Sequence, residues 1–159
     1  MALYGTAAAG WTPVAHADSA SSLANASYHA WRTTTASTAR VTEVFIGGEA
    51  TSSTVNRMSV RRLSTNATTP TDQTPAPMNP LSAAAVSQFY TAASTGPTIA
   101  STVHLLNLAF NSFGGIIRWV AHPGEEIYFT AQTAPNGQGV LDSISGTGVV
   151  STSVIFEEM

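Results

Sequence analysis

The chain has 159 residues, nine acidic side chains and six basic ones, for a formal net charge of −3. Charged residues are 9% of it, against ~25% in a typical soluble domain, and its cations, all arginine, are too dispersed for the basic patch that nucleic acid requires. Cysteine is absent, which excludes disulfides, thiolate nucleophiles and cysteine metal ligands; no run approaches the ~20 apolar residues of a membrane span.

The opening, MALYGTAAAGWTPVAHADSA, lacks the basic start and long apolar run of a signal peptide. Residues 1–38 are dominated by Ala, Ser and Thr and read as an extended N-terminal arm, separate from a β-sandwich domain over 39–159. Such text buries no face of its own. An ordered arm must therefore lie against a neighbouring chain or against its own domain. Trp11, Tyr28 and Trp31 are the candidate interface residues for the first arrangement, since large aromatics anchor interfaces. The second makes them caps on the chain's own core.

From residue 40 the text becomes β. Residues 41–46 form a strand with Val44 and Ile46 on one face and Glu43 and Phe45 on the other, ended by Gly47-Gly48. A second strand spans 54–63, with Met58 and Val60 pointing one way and Arg57, Ser59 and Arg61 the other. Arg57, Arg61 and Arg62 are the only arginine cluster, expected to dress an exposed face or edge. Residues 64–80 hold four prolines and read as a long loop or crossing segment. Asn79-Pro80 suits a helix start, and the spacing of Leu81, Ala85, Val86, Phe89 and Ala93 predicts one short helix over 80–91.

The C-terminal half predicts successive strands at about 101–110, 116–120 and 126–132, then GVLDSIS and TGVVSTSVIFEE split by Gly146. Strands of ordinary length at short spacing favour an all-β antiparallel β-sandwich, jelly-roll-like, over an α/β sheet. Between two of them stands His122-Pro123-Gly124-Glu125. Proline presets φ near −65° and glycine accepts positive φ, so this is type II turn chemistry at the tip of a hairpin. Ile117 and Trp119 share one face before it, and Ile127 and Phe129 share one face after it.

His122 and Glu126 could share a metal, but His16, His29 and His104 show no ligand spacing toward them. Three aspartates and no nucleophile elbow give a Ser-His-Asp site little to work with. The expectation is a protein with no catalytic residues, cofactor or metal.

LLNLAFNSFGGIIRWVAHPGEEIYF, followed some twenty-five residues later by SVIFEE, resembles small virion structural proteins of tailed bacteriophages. Those chains carry an R-W-V-A-x-P-G-x-E segment and a final strand ending in F-E-E. ARVTEVFIGGEATSS fits their opening strand and NPLSAAAV their small-residue helix. The resemblance covers roughly residues 40–158, and residues 1–38 depart from it. It implies a capsid decoration (cement) protein on the virion surface, a homo-trimer whose partner is the major capsid protein; the charge and hydropathy of the chain already point to no nucleic-acid or membrane partner. The other reading is a tail- or neck-associated module presenting aromatics to host glycans.

Overall fold

The computed structural model describes residues 1–16, 22–34, 37–130 and 137–159, without the side chains of 101–103. Thirteen strands lie among them: β1 Ala2–Trp11, β2 His29–Arg32, β3 Thr38–Glu49, β4 Val55–Thr65, β5 Thr68–Pro70, β6 Ala76–Pro77, β7 Gln88–Tyr90, β8 Ala93–Thr95, β9 Thr98–Asn111, β10 Phe113–Val120, β11 Ile127–Thr130, β12 Gln138–Ser145 and β13 Val150–Glu158. A six-stranded sheet runs β10-β3-β13-β1-β6, with β11 also on β3, and a five-stranded sheet runs β7-β2-β12-β4-β9. The pair β5 and β8 stands apart. Every pairing between these strands is antiparallel. The chain is thus an antiparallel sandwich.

The two-residue side-chain period decides what lies between the sheets. β1 turns Tyr4 and Ala8 inward, β3 Val44 and Ile46, β13 Val150, Val154 and Phe156; β4 answers with Met58 and Val60, and β12 with Leu141. The opposite face of the five-stranded sheet carries a second, smaller core of Leu23, Tyr28, Ala30, Leu63, Tyr90, Ile99 and Val140. One sheet is therefore roofed on its outer side by the chain's own crossing segments.

Gly139 sits where the main core is tightest. Trp31 and Phe129 meet edge to face over it, ring centroids 5.3 Å apart. A Cβ at this position would stand 2.4 Å from Phe129 and 2.7 Å from Trp31. Buried rings have no room to retreat in a close-packed interior. Gly139→Ala is expected to destabilise by about 3 kcal/mol, lowering Tm by roughly 10 °C, measurable by thermal denaturation.

Four expectations are corrected. The predicted helix over 80–91 does not form. Its start signal is real but local: Leu81 N donates to Asn79 Oδ1 at 3.0 Å, and Ser82 N to Asn79 O at 2.9 Å. Leu81 is then 93% exposed. Farther on, Val86 N and Ser87 N donate to the Glu158 carboxylate at 2.8 and 2.6 Å, and β7 pairs with β2. A lone short helix is marginal in water, so a sheet edge and a carboxylate outcompete it.

The first 38 residues do not stand apart as an arm. β1 lies inside the six-stranded sheet, paired with β13 from Ala2↔Glu158 to Trp11↔Val150, and β2 lies inside the five-stranded one, between β12 and β7. Small side chains, which look unfit to form a core, suit strands whose inward positions face larger partners. Parts of this segment, 17–21 and 35–36, fall outside the described residues, as do Ala131 and Gln132 of the predicted strand 126–132.

The turn at residues 122–125 has the expected chemistry: Glu125 N donates to His122 O at 2.9 Å, and Gly124 has φ 90°. However, it closes no hairpin. β10 and β11 both pair antiparallel with β3, β10 along Glu43–Glu49 and β11 along Thr38–Val41. They run the same way, and residues 121–126 are an excursion in one edge line.

Of the arginine cluster, only Arg57 is exposed. Arg61 is fully buried. Arg62 stacks on Phe129, 5.0 Å from the ring centroid, and donates to Tyr128 O at 2.9 Å.

Candidate functional site

The three aromatics expected at an interface are buried in the chain's own interior. Trp11 ends β1 with its indole Nε1 donating to Thr152 Oγ1 at 3.1 Å. Trp31 lies under Phe129. Tyr28 meets Tyr90 edge-on at 5.9 Å in the second core. Their relative exposures of 7%, 4% and 0% take them off the surface. Tyr90 is also buried and Trp119 packs against the main core. A flat aromatic platform for sugars is thus not assembled among the described residues; Tyr128 is the exposed member of that set.

Titratable groups do converge, on the roofed side of the five-stranded sheet. Arg61 Nε donates to Asp142 Oδ1 at 2.9 Å and Arg61 Nη2 bonds Asp142 Oδ2, with both side chains fully buried. Nη2 also donates to His16 O at 3.0 Å, and His16 N donates to Ser143 O. The pair therefore ties the stretch after β1 onto β12. Burial raises the Asp142 carboxyl above its ordinary range, and the guanidinium beside it pulls the other way. Burial likewise lowers His16. Beside them Ser59 Oγ meets His104 Nδ1 at 3.0 Å and donates to Leu106 O. Serine, histidine and aspartate are neighbours here, yet the hydroxyl is buried, and Arg61 holds both carboxylate oxygens. The cluster is built to stay shut.

A second polar node joins the two sheets. His29 on β2 is fully buried, its Nε2 2.9 Å from Thr6 Oγ1 on β1 and its Nδ1 3.0 Å from Thr152 Oγ1 on β13. Sequence reading placed no role on this histidine. The available signal was its position between two aromatics, Tyr28 and Trp31.

At the 122–125 turn, Glu126 Oε2 accepts from Gly124 N at 2.8 Å and Oε1 lies 3.5 Å from Arg40 Nη1. That carboxylate is committed to its own loop and to β3. Among the described residues no group of three His, Asp or Glu side chains is arranged to hold a metal.

What the surface does offer lies on the six-stranded sheet, whose outer face, among the described residues, has no second core like that of the other sheet. Ile116 (69% exposed) and Val120 point outward from β10, Tyr128 from β11 and Leu3 from β1. The charges between them are neutralised within the sheet. Arg118 grips Glu43 with two bonds, Nε–Oε1 2.7 Å and Nη2–Oε2 2.9 Å. Arg40 pairs with Glu157. An apolar face with internally satisfied charges suits contact with a protein surface more than with an ion. Two grooves flank β1: one of about 680 Å³ along Ala7–Trp11, and a more apolar one of about 390 Å³ between Gly5–Ala7, Thr74, Met78 and Ile155.

Comparison of the chain with protein-family models, with curated proteins and with solved structures finds no match.

Proposed function

We propose that the protein is a non-enzymatic virion component, a capsid decoration protein that binds the outer face of a shell as a trimer and stabilises it. The observation that carries this is the outer face of the six-stranded sheet, which no second core of the described residues covers. It holds exposed apolar side chains at Ile116, Val120 and Tyr128, and its arginines are already paired. Adhesion through such a face depends little on salt, because few screened ion pairs form across it. Trimerisation multiplies a weak contact, since later contacts become effectively intramolecular.

The strand order supports a finer reading, a jelly roll. β1 pairs β13, β2 pairs β12, β3 pairs β10 and β11, and β4 pairs β9. First-half strands meet second-half strands in mirror order, alternating between sheets, as when a long hairpin is rolled up. That architecture recurs in viral capsid domains and in lectins. Burial of Trp11, Trp31 and Tyr90 favours the capsid role over the glycan-binding one.

The test is loading of purified protein onto shells assembled from the major capsid protein of the same virus. The expected result is saturable co-sedimentation, a trimer's mass by light scattering, and density at local three-fold points. Ile116→Asp with Val120→Asp should abolish loading while Tm moves by no more than a few degrees, both sites being exposed. Shells that stay bare with the unaltered protein would overturn the proposal.

A further inference from the structure

We infer that the open edge of β1 at Ala7–Ala9 is a strand-addition site for an extended, uncharged peptide segment of a partner protein. The edge begins paired and is then abandoned. β6 lies antiparallel beside β1 at Tyr4↔Pro77 and Gly5↔Ala76, with Met78 N donating to Leu3 O at 2.8 Å. That bond fixes which main-chain groups face this side: those of Leu3 and, by the two-residue period, Gly5, Ala7 and Ala9. The even-numbered residues face β13, as Gly10 N does in donating to Ser151 Oγ. One more pair of β6 would satisfy Ala7. Instead the chain leaves, because Gln73 exchanges both main-chain bonds with Phe89, at 2.8 and 3.0 Å.

Among the described residues, no strand continues along Ala7–Ala9 on that side. In its place is the groove of about 680 Å³, walled across by Asn25, Ser27, Gln73 and Thr91. Main-chain donors and acceptors that line a groove call for the same groups in return, which an extended peptide supplies. Among the described residues the lining holds no charged side chain, so an ionised residue entering it would lose water without a counter-charge from them. Alanine side chains at the edge let a backbone approach closely. The bulge between Ala8 and Trp11, with Gly10 at φ 57°, ends the run. At ~3.4 Å per residue the site pairs with about three residues. The inference does not depend on the capsid reading; any partner offering such a segment would serve.

The test uses the full chain, isotope-labelled, with a blocked alternating threonine–alanine hexapeptide as probe. Expected are chemical-shift changes centred on the Ala7 and Ala9 amides. With the probe at about ten times its dissociation constant, their hydrogen exchange should slow about tenfold. A hexapeptide alternating lysine and glutamate, and a threonine–alanine probe N-methylated at every residue so that neither edge can donate, should leave both amides unchanged. Ala7→Pro removes an N–H that faces the groove and not β13, a position where an edge strand tolerates proline. It should abolish the response with little change in Tm. Three results would overturn the inference: amides of Ala7 and Ala9 that are already slow in the free protein, no response to the uncharged probe, or protection that rises with protein concentration alone, which would make a second copy the occupant.

Discussion

Asp142→Ala should lower the unfolding free energy by about 3–5 kcal/mol, because it strands a guanidinium in a site with no access to water. Arg61 is enclosed by the sheet beneath and the stretch around His16 above, and loses its carboxylate partner at both Nε and Nη2. Its Nη1 already lacks a hydrogen-bond partner among the described residues, so none of them takes up the slack. Thermal denaturation should show a loss of roughly 10 °C or more. The double variant Arg61→Met, Asp142→Leu is the decisive control. Replacing both charges with apolar groups of similar size should recover most of the loss, since desolvating the pair offsets much of its attraction. What it should not recover is the bond to His16 O. Amide exchange in residues 12–16 should therefore stay faster than in the unaltered protein. Equal stability of the single and double variants would show that the pair is not a coupled unit.

Acid should loosen the contact between the sheets at a histidine. Burial lowers His29 from an ordinary 6.5 to about 4. The unfolded chain therefore binds a proton in a window where the folded one does not. Stability from the neutral ring is fully present above pH 6.5 and is lost progressively as pH falls toward 4. A shift of that size corresponds to about 3 kcal/mol across the window. The ring is packed by Trp31 and Phe89 and bonded to two hydroxyls. Those neighbours carry no charge to compensate an imidazolium. Denaturant unfolding at pH 7 and pH 4.5, for the unaltered chain and for His29→Gln, isolates the effect. The variant should be weaker at pH 7 and lose distinctly less on acidification. A parallel pH dependence in both proteins would assign the acid sensitivity elsewhere, with the half-buried His16 the next imidazole to test.

The legible part of this protein was its alternation. Val44 with Ile46, Met58 with Val60, and Ile127 with Phe129 go to one core because side chains alternate with a period fixed by the backbone, whatever the strand pairs with. The His122–Glu125 turn was legible for the same reason: proline and glycine act on their own dihedrals. Arg61 was not. Its position on the face opposite Met58 could be read, but its burial could not. Its partner Asp142 lies eighty-one positions away, and the roof over both comes from the stretch that ends at His16.

Tertiary structure also chose between local options of similar energy. Asn79-Pro80 started a turn that could have become a helix, until Glu158 and the edge of β2 claimed the residues beyond it. Residues 113–130 could have folded back as a hairpin, and β3 was long enough to take both halves in line. The alanine-rich start looked too weak to form structure, and β13 gave it a template. The sequence by itself determined the alternation of side chains along β3, β4 and β11 and the dihedrals of the 122–125 turn, because those follow from local geometry. Only the folded chain decided which edges pair and which stay open, because pairing depends on groups brought together from far along the chain.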